Sequence, residues 1–197
     1  MKRLRGFALR EAEQAAALLG AEYPARSNGI FVIFGQATIQ AALEIIRRTN
    51  PILVITHSPQ DYMTDHEQTA QIVRTACFGA PAPNAHSQEE NAAPPLAAIP
   101  HLYYADAIEG KDIFGTAIKP GLYVDISTVI ETKAAMLACH DSQRAWLLKQ
   151  HGMDHYLAAM KDWSAQRGGE FGVAYAEGFR QHLGHAYPQD DLLSAIL

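Results

Sequence analysis

The run Ile52-Leu53-Val54-Ile55-Thr56, followed at once by His57-Ser58-Pro59-Gln60-Asp61-Tyr62-Met63-Thr64-Asp65-His66, decides the reading of the chain. Its first four residues are all apolar, with no alternation that would leave one face to water. A strand of that kind is covered on both faces, as in a parallel sheet. Polar and turn-forming residues end it. The segment that follows, 65–79, returns to helical spacing, with Ile72, Val73, Ala76 and Cys77 among its apolar positions. Before the strand, 37–49 reads as a helix with Ile39, Ala42, Leu43, Ile45 and Ile46 on its apolar side, broken by Asn50-Pro51.

The same spacing rules extend outward. Phe7, Leu9, Ala12, Ala16 and Leu19 predict a helix over 7–20, with Gly20 as its stop. Ile30-Phe31-Val32-Ile33-Phe34 reads as a short buried strand ending at Gly35. The Pro-, Ala- and Asn-rich stretch 80–100 is a long surface loop. Strands are expected at 101–105 and 122–126, joined by a turn-rich connection. The remainder reads as helices at 127–141, 143–151, 153–167 and 170–183, with a tail helix near 190–196. Alternating helices and strands imply βαβ units in one domain spanning 1–197. The expected class is α/β: a Rossmann-like, mostly parallel sheet with helices on both faces and a helical C-terminal region. Such sheets bind ligands beyond the carboxyl ends of their strands, where the loop 57–66 lies.

With 197 residues, an apolar fraction of 48% and a charged fraction of 19%, the chain can bury a core and is too apolar for disorder. A net charge of −5 gives no electrostatic case for nucleic acid. Lys2, Arg3 and Arg5 form the one basic cluster and read as a solvated end. Cys77 and Cys139 lie far apart, in apolar helical stretches, and read as buried thiols. No apolar run reaches the ~18 residues of a membrane span, and charges at Arg10, Glu11 and Glu13 interrupt any signal-peptide core. A reduced cytoplasm is the expected compartment. Nine histidines direct attention to metal or acid–base chemistry.

Within ten residues the loop carries His57, Asp61, Tyr62, Asp65 and His66. A divalent metal such as zinc takes neutral imidazole and carboxylate ligands and, in catalytic sites, keeps one position open for water. An acidic neighbour of a ligating histidine orients its ring, a role Asp65 could fill. The same residues also suit a plain capped loop: Asp65 stabilising a helix N-terminus, with Ser58, Asp61 and Thr64 as turn and cap residues.

Pro59-Gln60-Asp61-Tyr62-Met63-Thr64-Asp65-His66-x-x-Thr69 resembles the second metal motif of the LmbE/PIG-L deacetylase family, whose usual form is D-x-H-P-D-H followed by a helix. The flanks agree in order. Arg10-Glu11-Ala12-Glu13 ahead of an alanine-rich helix, Ile46-Arg47-Arg48-x-x-Pro51, Val124-Asp125-Ile126-Ser127, Lys133, His140-x-Ser142-Gln143, Arg167-Gly168 and Tyr175-Ala176-Glu177-x-Phe179 all resemble the family's pattern. That resemblance implies a zinc hydrolase that removes acetyl groups from N-acetylated sugars or related amides through a zinc-activated water. It implies His66 as a zinc ligand and Asp65 as the catalytic-site acid that orients a side chain. Arg10, Asp61, Tyr62 and His140 become candidate substrate-binding residues, although His140 equally suits a helix end. The implied ligand is a small N-acetylated molecule, with no nucleic acid or membrane partner and with self-association open.

Two departures stand against ordinary family chemistry. The family's other metal motif, H-P-D-D, occurs nowhere in this sequence, so the chain reads as lacking the opening strand–helix–strand unit. Zinc would then be held by His66 together with ligands lying outside these residues, and neighbouring strands would keep unpaired edges. Met63 stands where the motif usually has its first histidine, and a thioether cannot donate a hydrogen bond. A non-catalytic relative that keeps the fold as a sugar-binding or interaction module is therefore the rival expectation, with an unrelated α/β domain behind it.

Overall fold

The computed structural model describes residues 2–24, 32–87, 89–142 and 155–197, with the side chains of 2–8 and 155 left aside. The chain divides into two compact units: residues 1–29 with 125–177, and residues 30–124 with 178–197.

The second unit holds most of the sheet. Helix α2 (Gln36–Thr49) leads to β1 (Leu53–Thr56), α3 (Thr64–Gly79) and β2 (His101–Ala105). Strand β3 (Leu122–Asp125) and strand β4 (Ala176–Gln181) complete a four-stranded sheet of order β1-β2-β4-β3. β1 and β2 run parallel, with Leu53 opposite His101 and Thr56 opposite Tyr104. β2 and β4 run antiparallel, with Tyr104 opposite Arg180. The α/β class and the parallel pair at its head are as the apolar run 52–56 requires.

Residue alternation along β2 assigns the two faces. Leu102 and Tyr104 pack with Leu43 and Ile46 of α2 and with Ala70, Ala76 and Cys77 of α3. Tyr103 points the other way, to Phe179, Leu53, Leu122, Val124 and Leu193. The Tyr103 hydroxyl donates to Asp191 Oδ1 at 3.0 Å and accepts the Leu193 N–H at 3.1 Å. Those bonds seat the short C-terminal helix α6 (Leu192–Ala195) on that face, so helices cover both sides of the sheet. Among the described residues β1 is an edge strand, and Ile55 on it is half exposed.

The long loop 80–100 is held chiefly by Arg47 and Glu44 of α2, with Arg48 donating to the Asn91 carbonyl at 2.7 Å. Arg47 is buried and donates to the carbonyls of Ala80 at 3.0 Å, Ala82 at 2.7 Å and Ala85 at 2.8 Å. Glu44, fully buried, accepts the Ser87 hydroxyl at 2.7 Å and the Ala93 N–H at 3.0 Å, and pairs with Arg48 at 2.7 Å. The pattern Ile46-Arg47-Arg48 thus has a packing reason: segments without a ladder of their own take backbone partners from a helix.

The first unit is helical: α1 (Lys2–Ala17), α4 (Ile130–Ala138) and α5 (His155–Phe171). Glu11 of α1 accepts the Ser142 N–H at 2.8 Å and the Ser142 hydroxyl at 2.6 Å. Lys133 of α4 donates to Ser164 Oγ at 3.3 Å and pairs with Glu177 at 2.6 Å.

Two sequence expectations are corrected. The helix expected over 170–183 is not formed: α5 ends at Phe171, Gly172 takes φ +89°, and β4 follows. The Gly172 and Val173 N–H groups both close on the Gly168 carbonyl, a glycine stop that ends the helix. The strand expected over 30–34 is not seen at 32–34, where Thr38 instead accepts the Gly35 N–H and donates to the Ile33 carbonyl. Residues 30 and 31, and the helix expected over 143–151, lie outside the described residues.

Candidate functional site

Strand β1 ends in a loop whose shape is set by its own short polar side chains. Ser58, 1% exposed, donates its hydroxyl to the Gln60 carbonyl at 2.6 Å and accepts the Gln60 N–H at 3.1 Å. Asp61 Oδ1 accepts the Met63 N–H at 2.9 Å. These are the local turns that serine and aspartate form. They deliver the chain to Met63, the N-cap of α3, which makes no side-chain cap. Glu67 in the first turn reaches back to the Asp61 N–H at 3.3 Å.

The second oxygen of Asp61 meets the His66 ring. Nδ1 of His66 lies 3.0 Å from Asp61 Oδ2, and the carboxylate is 3% exposed. A carboxylate accepts, so Nδ1–H donates, and the lone pair of the ring falls on Nε2. An imidazole held in this way is prepared to accept a proton or to coordinate a divalent ion. His57 stacks on His66 with ring centroids 4.1 Å apart and planes 10° from parallel. Although His57 as a whole is exposed, desolvation of its ring, with the neighbouring His66, lowers its pKa against the pull of Asp61 and Asp65. The direction favours the neutral form of the stacked ring.

Tyr62 projects from the same loop. Partial desolvation of its hydroxyl, with the charges of Asp61, Asp65 and Glu109, raises its pKa and favours the neutral donor. Asp65 sits in the first turn of α3, its carbonyl accepting the Thr69 hydroxyl at 2.8 Å. The His66 ring donates its hydrogen bond to Asp61. Of the residues singled out in the sequence, His57, Asp61, Tyr62, Asp65 and His66 are thus together at the end of β1. Arg10, on α1, and His140, whose N–H closes on Leu137 just past α4, belong to the other unit.

Sequence reasoning missed Arg180. It lies on β4, inside the segment read as a helix, and donates from Nη1 to Gln60 Oε1 at 2.7 Å and from Nη2 to Ser58 Oγ at 3.0 Å. Burial lowers its pKa, while Asp106 and Tyr104 raise it. A guanidinium stays charged under such influences and supplies a fixed fork of donors. Here that fork clamps the loop that presents Asp61. The available signal was Gly172 beyond Phe171, followed by β-compatible residues.

Among the described residues, no three His, Cys, Asp or Glu side chains converge as a metal-holding group. A catalytic zinc takes three protein ligands. With fewer than three such groups converging, the described residues do not by themselves fit a zinc site.

No family model matches the sequence. The fold has clear counterparts among solved structures. N,N'-diacetylchitobiose deacetylase from Pyrococcus horikoshii, complexed with an inhibitor, superposes with a TM-score of 0.70 at 22% identity, over 95% of this chain and 68% of that one. GalB, the 4-carboxy-2-hydroxymuconate hydratase of Pseudomonas putida, gives 0.69 at 21% identity, over 96% and 77%. A conserved protein of Thermus thermophilus gives 0.65 at 22% identity, over 92% and 75%. The chain has the α/β fold of these proteins, a likeness that extends over nearly its whole length.

Proposed function

We propose that this protein is a hydrolase of the N-deacetylase type, acting on an N-acetylated sugar or a related amide. The observation that carries the reading is the Asp61–His66 pair at the carboxyl end of β1, with His66 Nε2 left open. The shared fold with a chitobiose deacetylase supports it, as does the resemblance of the motif ending at His66. In the reaction, water adds to the amide carbonyl carbon, the C–N bond breaks, and acetate and an amine are released. His66 Nε2 is placed to take the proton that water gives up, and Asp61 stabilises the imidazolium so formed. The Tyr62 phenol is a donor for the substrate. Zinc belongs to the proposal through the resemblance, with His66 as one ligand; a ligating Nε2 has no lone pair left for a proton, so the base role above is that of the metal-free ring.

The test is made on the whole chain. Acetate release from a panel of N-acetylated sugars, before and after zinc addition, is measured for the wild type and for His66→Ala. The reading expects acetate release that His66→Ala abolishes. Zinc content of about one per chain, lost in the same variant, would assign Nε2 to the metal; zinc retained by the variant overturns the ligand assignment.

A second reading, a sugar-binding module without turnover, is favoured by Met63 in place of a hydrogen-bonding residue and by the absence, among the described residues, of three converging metal-holding groups. Binding of an N-acetylated sugar with no acetate released, unchanged in His66→Ala, would select it.

A further inference from the structure

Parallel pairing of β1 and β2, with Thr56 opposite Tyr104, brings two loops out at the same end of the sheet. One is the loop carrying Asp61 and Tyr62. The other begins at Asp106 and makes a short 3-10 turn, Ile108–Gly110. In that turn Glu109 takes φ +62°, a left-handed conformation that costs energy outside glycine and gathers at functional sites. The turn runs into a tightly hydrogen-bonded loop. Lys111 and Ala117 form an antiparallel bridge, the Ile118 N–H donates to the Gly110 carbonyl at 2.7 Å, and Asp112 Oδ1 accepts from the Phe114 and Thr116 N–H groups at 2.9 and 2.8 Å.

On this fixed frame the large apolar side chains face water. Tyr62 is 60% exposed, Ile108 60% and Phe114 85%. Ordered backbone does not by itself oblige such residues to be exposed, and an apolar rim beside convergent polar groups is the usual composition of a small-molecule site. The charge of Glu109 acts on the Tyr62 hydroxyl, in keeping with the two loops being neighbours.

We propose that the site takes amphipathic N-acetyl compounds, with the acetamido group at His57 and His66 and an aryl or alkyl substituent lying across Tyr62 and Ile108. This rests on the deacetylase reading and narrows its substrate class to N-acetyl glycosides, or simple amides, that bear an apolar group. A tyrosine ring offers a flat apolar face with a polar tip, suited to a sugar–aglycone junction. Ile108 offers area alone. A second copy of the chain is the rival occupant, disfavoured because Tyr62 follows Asp61 directly and so joins the rim to the polar site.

The experiment compares 4-nitrophenyl and methyl N-acetyl-β-D-glucosaminide, by titration calorimetry for affinity and by acetate release for turnover. The expected result is that the aryl glycoside binds at least about tenfold more tightly. Ile108→Ser and Tyr62→Ser, each checked for a native circular dichroism melt, bring that ratio close to one. The proposal is overturned by a wild-type ratio near one, by both variants retaining the ratio, or by neither glycoside binding. It is also overturned if sedimentation finds a wild-type dimer that Ile108→Ser dissociates with the ratio unchanged. The two readings fail separately. Absence of acetate with the affinity ratio intact removes the deacetylase and leaves the rim; acetate released from both glycosides at equal affinity does the reverse.

Discussion

Asp61 Oδ2 accepts the Nδ1–H of His66 at 3.0 Å, whereas Asp65, the acid adjacent to His66 in sequence, is not its partner. The reason is helical geometry. Adjacent residues of a helix do not face each other, and both Asp65 and His66 are in α3. Asp61 precedes the helix and is turned back onto it by the bonds Asp61–Met63 and Asp61–Glu67.

Asp61→Asn tests this relationship. The amide keeps the shape and can still accept the Met63 N–H, but it no longer holds the proton on Nδ1. Such partners of a functional histidine are worth about 10–100-fold in activity or metal affinity. Acetate release is expected to fall by that factor. Nitrogen-15 NMR of the His66 ring should show a mixture of tautomers where the wild type shows Nδ1–H alone. A single unchanged tautomer in the variant would refute the orienting role.

Arg180→Gln is expected to loosen the loop without unfolding the unit. Two charge-assisted bonds, to Gln60 and Ser58, are lost, at a cost of about 1.5–3 kcal/mol in stability. Amide hydrogen exchange at Gln60 and Asp61 should accelerate, while exchange in the core of β2 follows only the global change. Equal acceleration in both places would show that Arg180 serves the unit as a whole.

The sequence made β1, β2, α2 and α3 legible through their patterns: a continuous apolar run in β1, which nevertheless forms an edge among the described residues with Ile55 half exposed, a short aromatic-rich stretch in β2, and helical spacing in the others. β4 was not legible. Glu177 and Gly178 interrupt its apolar residues, and the segment follows a long helix whose stop is a single glycine in the left-handed region, Gly172. Arg180 vanished with it, because a partner 120 positions away in sequence is fixed by the β2–β4 pairing alone. The site was half legible. The cluster from His57 to His66 is local in sequence, but which acid meets which ring depends on turns at Ser58 and Asp61 that residue types permit without dictating.

Arg47→Met should destabilise the second unit by about 1–3 kcal/mol or more, the cost of leaving a buried acceptor without a donor, because several loop carbonyls lose theirs together. Urea unfolding measures it. A loss under about 1 kcal/mol would mean that water replaces the guanidinium and that Arg47 does not organise the loop.

Gly168→Ala addresses the helical unit. A Cβ there would stand 2.6 Å from the Ala174 carbonyl oxygen and 2.7 Å from that of Val173, both backbone atoms with little freedom to retreat. Overpacking of this kind costs about 1–3 kcal/mol. Alanine at Gly169, where a Cβ meets nothing within 4 Å, is the control. Since alanine favours a helix interior, it should be neutral or slightly stabilising. Equal destabilisation at both positions would contradict the close approach at Gly168.

The stacked histidines give the fold a dependence on pH whose sign follows from His57. Desolvation of the ring and the neighbouring His66 lower its pKa in the folded protein, so the unfolded chain binds the proton more readily. Above the unfolded value, about 6.5, neither state is protonated and His57 contributes nothing to the slope. Below it the unfolded state takes up protons first, and stability falls as pH falls through the folded value. His182, lowered by burial and by Arg74, acts in the same direction. Glu44 acts lower still: burial opposes its charge, but its bonds to Ser87, Ala93 and Arg48 prevail and lower its pKa. Its contribution is present above about 4.5 and lost as pH falls through the folded value. Urea midpoints should therefore decline from about pH 7 to about pH 5. His57→Asn should remove part of that decline, and the variant should leave the further, more acidic loss from Glu44 in place. A decline over that upper range identical in the wild type and His57→Asn would show that the stack on His66 exerts no hold on the His57 proton.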